Sequence, residues 1–332
     1  MSNRRKVAVL GPIPHDHITT HAGATFEKYG CVLYTVAALS ALMNADDLIC
    51  PIVHVRKEDE GPIRDQLAHL PNVDLSGITS VADRGDIVEL TYTDQNARLE
   101  HQSDYMAPIL PADVEPVLDA DAFICVPITD YQVGLATLRH IREHSSGLIL
   151  LDGHGPTSTL TRTGERHNRL WLERDTWLPF IDVLKMNREE VSCSWFPVGE
   201  GNSRPDIGEP LSPEELHAFA EHCLDRGLRS VCITLDDEGC VVFHREASTT
   251  TRRDYVSCVE VDEVVDTTGC GDSFAAGMGY GYLAYGDTVT ACRFGNAMGA
   301  QRCVGSRLSI YRQLEETLEQ IRNAYGDVTP AG

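Results

Sequence analysis

The stretch Asp266-Thr-Thr-Gly-Cys-Gly-Asp272-Ser-Phe274 sets small residues, one thiol and two carboxylates side by side. Gly269, Cys270 and Gly271 permit a tight turn that turns its backbone N–H groups into one hollow. A helix predicted over 273–284 adds the amides of its first turn. Successive amides at a helix N-terminus attract anions. Asp272 beside such a hollow is a base placed next to the oxyanion it needs. This suggests transfer of an anionic group, most simply phosphoryl, onto a hydroxyl. The plainer reading is a strand–turn–helix in which Asp272 only caps the helix. Cys270 stands where a helix start lowers a thiol pKa, but no recognisable base pattern accompanies it, which argues against a nucleophile.

Other polar sets fall where apolar runs end. Asp16 lies in a turn-rich stretch after the strand at 6–10 and Gly11; it could accept hydrogen bonds from a polyhydroxylated ligand, or be a solvated turn residue. Asn187 and Glu190 are one helical turn apart and would share a face. Their oxygens suit Mg²⁺ held through water, and an ordinary helix start would use the same residues. Thr234 to Gly239 form the third set. His15, His17 and His21 have the right type for a metal, but their spacing matches no common site. Walker-type, dinucleotide-binding and protein-kinase motifs are absent from the sequence.

The elements that must position these groups alternate. Strands are predicted over 6–10, 48–55, 120–126, 148–151, 183–186, 230–235 and 240–244. Helices are predicted over 32–43, 58–69, 134–145, 162–177, 212–226, 287–303 and 309–324. Ser212, Pro213 and Glu215 form a helix-start signature. Residues 86–92 and 98–101, about a turn at 94–96, read as a hairpin, and 195–211 as a loop insertion. The pattern is α/β: a three-layer α/β/α sandwich around a mainly parallel sheet. One domain spans 1–332, with a small β lid from about 12–29 and 81–107. In such a sheet the carboxyl ends of the strands share one edge, so the polar sets are expected to converge there.

The formal net charge is −22, with four Lys and 24 Arg. Acid excess excludes nucleic acid as an expected partner, and fits a surface that works at high salt. No apolar run reaches the roughly 18 residues of a membrane span, and no signal peptide is recognisable. The eleven Cys contain no C-x-x-C pair, which suggests reduced core thiols in a cytoplasmic protein.

Taken together, the motifs resemble the ribokinase-like family of carbohydrate and nucleoside kinases, the PfkB group. Asp266 to Phe274 is similar to that family's D-T-x-G-A-G-D-x-F signature, with Cys270 replacing Ala. Lys185-Met-Asn187-Arg-Glu-Glu190 resembles its K-x-N-x-x-E element. Ile233-Thr-Leu235 with Gly239 resembles its nucleotide-side strand and turn, with Asp236 where Gly is usual. The family's paired Gly is here Gly30-Cys31, with Thr35 near the usual Asn. The resemblance implies phosphoryl transfer from ATP to a hydroxyl of a sugar, sugar derivative or nucleoside. It implies Asp272 as general base and the amides of Gly269, Cys270 and Gly271 as anion hole. Asp16 and Gly30 would bind substrate; Asn187, Thr234, Gly239 and Asn296 would border the nucleotide. Glu190 would hold Mg²⁺ through water, and Asp266 would lie near a K⁺ site. Arg84 and Arg98 could meet a phosphate on the substrate, or be solvated strand charges, and the lid could form a homodimer. A hydroxymethylpyrimidine- or pyridoxal-type kinase, or a silent family member acting as scaffold or sensor, remain open as alternatives.

Overall fold

A computed structural model describes residues 4–93, 98–196, 210–245 and 250–328. The first half contains β1 (Lys6–Leu10), β2 (His15–Thr19), β3 (Thr25–Tyr29), α1 (Val32–Leu42), β4 (Leu48–His54), α2 (Lys57–Leu67), β5 (Ile78–Thr79), β6 (Ile87–Tyr92) and β7 (Arg98–Asp104). Next come α3 (Pro111–Val114), β8 (Ala122–Cys125), α4 (Leu135–His144), β9 (Leu148–Asp152), β10 (Ser158–Leu160), β11 (Arg166–Asn168), α5 (Arg174–Trp177), β12 (Val183–Asn187) and α6 (Arg188–Ser192). The last part is α7 (Pro213–Leu224), β13 (Ser230–Thr234), β14 (Gly239–His244), β15 (Arg252–Ser257), α8 (Cys270–Tyr285), α9 (Thr288–Cys303) and α10 (Leu314–Tyr325).

The main sheet has nine strands in the order β15-β14-β13-β12-β9-β8-β1-β4-β5. Pairing is parallel from β5 to β13 and antiparallel at β14 and β15. Parallel strands are covered on both faces, so their sequences are continuously apolar. Side chains alternate between the faces: Val7, Val9, Ile124 and Leu150 join α1, α8 and α9 in one core, while Ala8, Leu10, Phe123 and Leu151 join α4 and α7 in the other. This is the expected three-layer α/β/α sandwich. Ser212 accepts from the Glu215 amide and Glu215 bonds back to the Ser212 amide, the predicted helix start.

A second sheet has four strands in the order β3-β2-β6-β7. Ile18, Val88 and Leu90 are buried on one of its faces. Two of its strands correct the sequence reading. Asp16 lies inside β2, not in a loop, and β3 has too few apolar residues to announce itself. The hairpin turn expected at 94–96 lies outside the described residues, as does most of the loop insertion, 197–209.

Three further expectations change. The helix expected over 162–177 is instead the β10–β11 hairpin followed by the short α5. Its turn places Gly164 at φ 96°, and the Thr161 hydroxyl accepts from the amides of Thr163 and Glu165, so local bonds displace helical ones. The last helix starts at Leu314, not at 309. The helix of the opening motif starts at Cys270, with Gly269 as N-cap at φ 87°. Only glycine fits there: a Cβ would come within 2.3 Å of the Tyr34 ring.

Candidate active site

Because α8 starts three residues early, Asp272 is the third residue of its first turn rather than its cap. Among the described residues, no protein acceptor pairs with the amides of Gly269 or Gly271. The Cys270 amide differs from the expectation: it donates to Thr267 O at 3.2 Å, so the turn has already used it. The Cys270 thiol is also corrected: burial pushes it up to about 12, outweighing the helix start, and it is no reactive thiolate.

Asp272 is partly buried, and its carboxyl is pushed up to about 6. The causes are burial first and the charge of Asp152 second, with Lys185 acting against them. Cys31 Sγ lies 3.4 Å from Asp272 Oδ1, and the Thr35 hydroxyl donates to the Asp272 carbonyl at 3.3 Å. The Cys31 thiol is itself held well up by burial and by Asp272, so it stays neutral, and its one proton is shared between Val126 O at 3.1 Å and this carboxylate. It also stands at φ 51°, the conformation that explains why its resembled family prefers Gly here.

The strand ends supply the rest. Lys185, the third residue of β12, extends its ammonium to Asp152 Oδ2 at 2.9 Å; both are buried. That ammonium also lies 3.1 Å from where a Cβ on Gly271 would stand, so it borders the amide hollow. Asn187 and Glu190 form a reciprocal capping box at the start of α6, both bonds 2.8 Å. Glu190 is more than a cap. Its other oxygen pairs with His154 Nδ1 at 3.1 Å. Burial raises Glu190, but the His154 bond and the Lys185 charge hold it below its usual range. Three carboxylates, Asp152, Glu190 and Asp272, thus gather about one ammonium and one imidazole.

Thr234 sits directly beside Asn187 in the parallel β12–β13 pair, and its hydroxyl donates to Met186 O at 3.3 Å. Gly239 opens β14 after a turn in which Asp236 stands at φ 53°. The Asn296 side-chain amide donates to Val256 O, Ser257 O and Tyr325 Oη. It ties α9 to the end of β15 and to α10, and those donors are already used.

On the other side, Asp16 is buried, and a Cβ on Gly30 would come within 2.9 Å of Asp16 Oδ2. The charges of Asp272, Asp152 and Asp16 all push the Cys31 thiol up, after burial. Asp266 is a different case. Its Oδ2 accepts from Lys28 and from the buried Arg302, each at 2.8 Å, and its Oδ1 accepts from the Thr268 amide. Burial raises this carboxyl, yet Lys28 and Arg302 hold it well below the usual range. A monovalent cation at Asp266 would share this carboxylate with two cationic side chains. Arg84 is exposed ahead of β6; the Arg98 side chain lies outside the described ones.

Lys185, Asp152, His154 and Cys31 are the members of this cluster to which the sequence reading gave no role. The signals were present: Lys185 opens the quoted K-x-N-x-x-E element, and Asp152-Gly-His154 ends an apolar strand.

A profile of the pfkB family of carbohydrate kinases matches residues 168–309. An uncharacterised sugar kinase from Archaeoglobus fulgidus is 36% identical over 110 residues, 32% of this chain and 41% of that protein. The matched stretch therefore spans less than half the length of that relative. A pyrophosphate-dependent kinase in the ribokinase family, solved as a sulfate complex, superposes with a TM-score of 0.72 at 16% identity, covering 95% of this chain and 99% of the other. Arabidopsis thaliana ribokinase, solved with ribose and ATP, gives 0.69 at 16%, over 96% and 99%. A Burkholderia thailandensis nucleoside kinase, solved with inosine, gives 0.70 at 16%, over 98% and 99%. The fold is ribokinase-like, and the stretch 168–309 is similar to the pfkB family of carbohydrate kinases.

Proposed function

We propose that the protein is an ATP-dependent kinase that phosphorylates a hydroxyl of a sugar, sugar derivative or nucleoside. The observation that carries this is the Asp272 carboxyl, pushed up to about 6 beside the open amides of Gly269 and Gly271. A base with that pKa is ionised at neutral pH and still takes a proton readily. Asp272 orients the acceptor hydroxyl and takes its proton as the bond to phosphorus forms. The two amides and the adjacent Lys185 stabilise negative charge on the phosphoryl group in flight. Lys185 is held charged by Asp152, despite its burial.

Asp16, with Gly30 against it, binds the hydroxyls of the acceptor. The second sheet acts as a lid that keeps water from the phosphoryl group, tied down where Lys28 of β3 meets Asp266. Asn187, Thr234 and Gly239 border the nucleotide. The surplus of carboxylates over cations fits Mg²⁺, which keeps several waters and would be held through them by Glu190 and Asn187. Bound there, the ion would neutralise phosphate charge.

The test is ADP release from ATP and Mg²⁺ across a panel of sugars, sugar phosphates and nucleosides. Turnover with at least one acceptor is expected, lost in Asp272→Asn with ATP binding retained. No turnover with any acceptor, at low or molar salt, would sink the proposal.

A further inference from the structure

The histidines of β2 have no part in the reading above, because they face the other way. Side chains alternate along a strand, so Asp16 and Ile18 point to one face and His15, His17 and Thr19 to the opposite one. That opposite face opens on a cavity of about 840 Å³, lined by His15, His17, Glu27, Tyr29, Asp59 and Glu89 among others. The register of β2 and β3 sets Glu27 directly across from His17. As a result one ligand atom from each of His15, His17 and Glu27 falls within 4.8 Å of the others.

The separations suit an ion as well as they suit hydrogen bonds. His15 Nε2 is 3.2 Å from Glu27 Oε2, and His17 Nδ1 is 3.4 Å from Glu27 Oε1. Charge-assisted bonds between such groups are shorter, about 2.7–2.9 Å. A tetrahedral Zn²⁺ with bonds of about 2.0–2.1 Å holds its ligand atoms about 3.3 Å apart. A second layer is already built behind His15. Its Nδ1 lies 3.1 Å from Oδ1 of the buried Asp59, the carboxylate–histidine arrangement that fixes the tautomer of a ligating imidazole. Asp59 is in turn held by the Tyr29 hydroxyl at 2.8 Å and by Arg56 Nε at 2.6 Å. Arg56 Nη2 also comes within 3.2 Å of His15 Nδ1, but Arg56 is already paired with Asp59 and Glu58. The His15 ring is wedged between those of His17 and Tyr29, each 4.7 Å away.

We propose that His15, His17 and Glu27 bind one Zn²⁺ ion on the outer face of the second sheet, its fourth position open to the cavity. The ion clamps β2 to β3 and so stiffens the strand whose other face carries Asp16. The site stands independently of the kinase reading.

The experiment is equilibrium dialysis of the full chain against buffered Zn²⁺, with Co²⁺ as optical probe. One ion per chain is expected, with visible Co²⁺ bands and no near-ultraviolet thiolate charge-transfer band. His17→Ala and Glu27→Gln should each weaken binding at least tenfold and abolish the rise in Tm that Zn²⁺ gives the unaltered chain. Both residues are well exposed, so the variants should fold. Absence of stoichiometric binding, or unchanged affinity in the double variant, would overturn the proposal. So would a thiolate band, which would move the ion to the buried trio Cys232, Cys240 and Cys292.

Discussion

Asp266 and Asp272 stand six residues apart in one motif and are held in opposite states. Asp266 receives two cationic side chains and a backbone amide, and its carboxyl is driven well below the usual range. Asp272 receives a neutral thiol, with Asp152 nearby, and is driven up to about 6. The difference lies in the partners, since burial raises both. A carboxylate whose charge is fully answered fixes structure; one whose charge is left wanting is available for chemistry. The same contrast separates the ends of the motif: Asp266 fastens β3 and α9 to the loop, while Asp272 faces the amide hollow.

The largest effect should come from removing the unanswered charge. Asp272→Asn should lower turnover about 10²–10⁴-fold, the usual scale for a general base. ADP release measures it; a variant within tenfold of the starting rate would remove Asp272 from that role. The unaltered enzyme should lose activity on the acid side with a midpoint near pH 6, because the protonated carboxyl accepts no proton.

Removing the answered charge should instead damage the fold. Asp266→Asn leaves the fully buried Arg302 without its counter-charge and releases Lys28. A cost of about 2–4 kcal/mol is expected, discounted from the range for broken buried pairs because Asp266 is partly exposed. Urea unfolding at pH 7 measures this. The sign follows from the depressed carboxyl: its contribution is present at neutral pH and is lost as pH falls below the ordinary carboxylate range. The variant's deficit should therefore shrink in acid, and an equal deficit at pH 7 and pH 3 would contradict the assigned cause.

Lys185 tests how Asp272 is tuned. Its charge lowers the Asp272 carboxyl, so Lys185→Met should move the acid limb of the rate profile to higher pH, whatever it does to the maximum rate. Stability should separate the two aspartates once more. A carboxyl raised in the folded state stabilises below its unfolded pKa, and that contribution is lost as pH rises through about 6. Asp272→Asn should thus gain about 1–2 kcal/mol at pH 8 and nothing at pH 4. A loss at pH 8 would mean the carboxylate is better answered than its surroundings indicate.

Much of this frame could be read from residue order. Continuous apolar runs gave the parallel strands, and Ser212, Pro213 and Glu215 gave the start of α7, because those signals are local. The 162–177 region failed because a charged stretch with helical spacing says nothing of the Gly164 turn or the Thr161 hydroxyl bonds. The second sheet was half visible: the β6–β7 hairpin alternates, whereas β3 presents polar residues on both sides. In the site, Asp272, Asn187 and Glu190 follow from motif and strand ends. The Lys185–Asp152 pair and the Cys31 contact do not, since each joins residues far apart in sequence. The ties on Asp266 and Asn296 were hidden for the same reason. Glu27 completes the histidine cluster only through the register of β2 and β3, so the third ligand could not be found by spacing; His21, the third histidine of the sequence stretch, is exposed.

The smallest expected effect concerns a third aspartate, one whose backbone matters more than its charge. Asp236 is exposed in the turn before Gly239 and stands at φ 53°, as Cys31 stands at 51°. Both replace a Gly usual in the resembled family, and both stand at a positive φ, which favours Gly. Cys31 cannot be tested cleanly, because its thiol contacts Asp272. Asp236 can. Left-handed backbone costs an ordinary L-residue about 1–2 kcal/mol, and Asp less because its short side chain bonds locally. Against this, Gly loses about 0.5–1 kcal/mol more backbone freedom on folding. Asp236→Gly should therefore stabilise by about 0.5 kcal/mol, and Asp236→Ala, which has neither escape, should destabilise by about 1 kcal/mol. Paired urea titrations would show the order Gly, Asp, Ala. If Ala matched Asp, the turn would not be holding strain at this position, and the preference for Gly would need a cause other than φ.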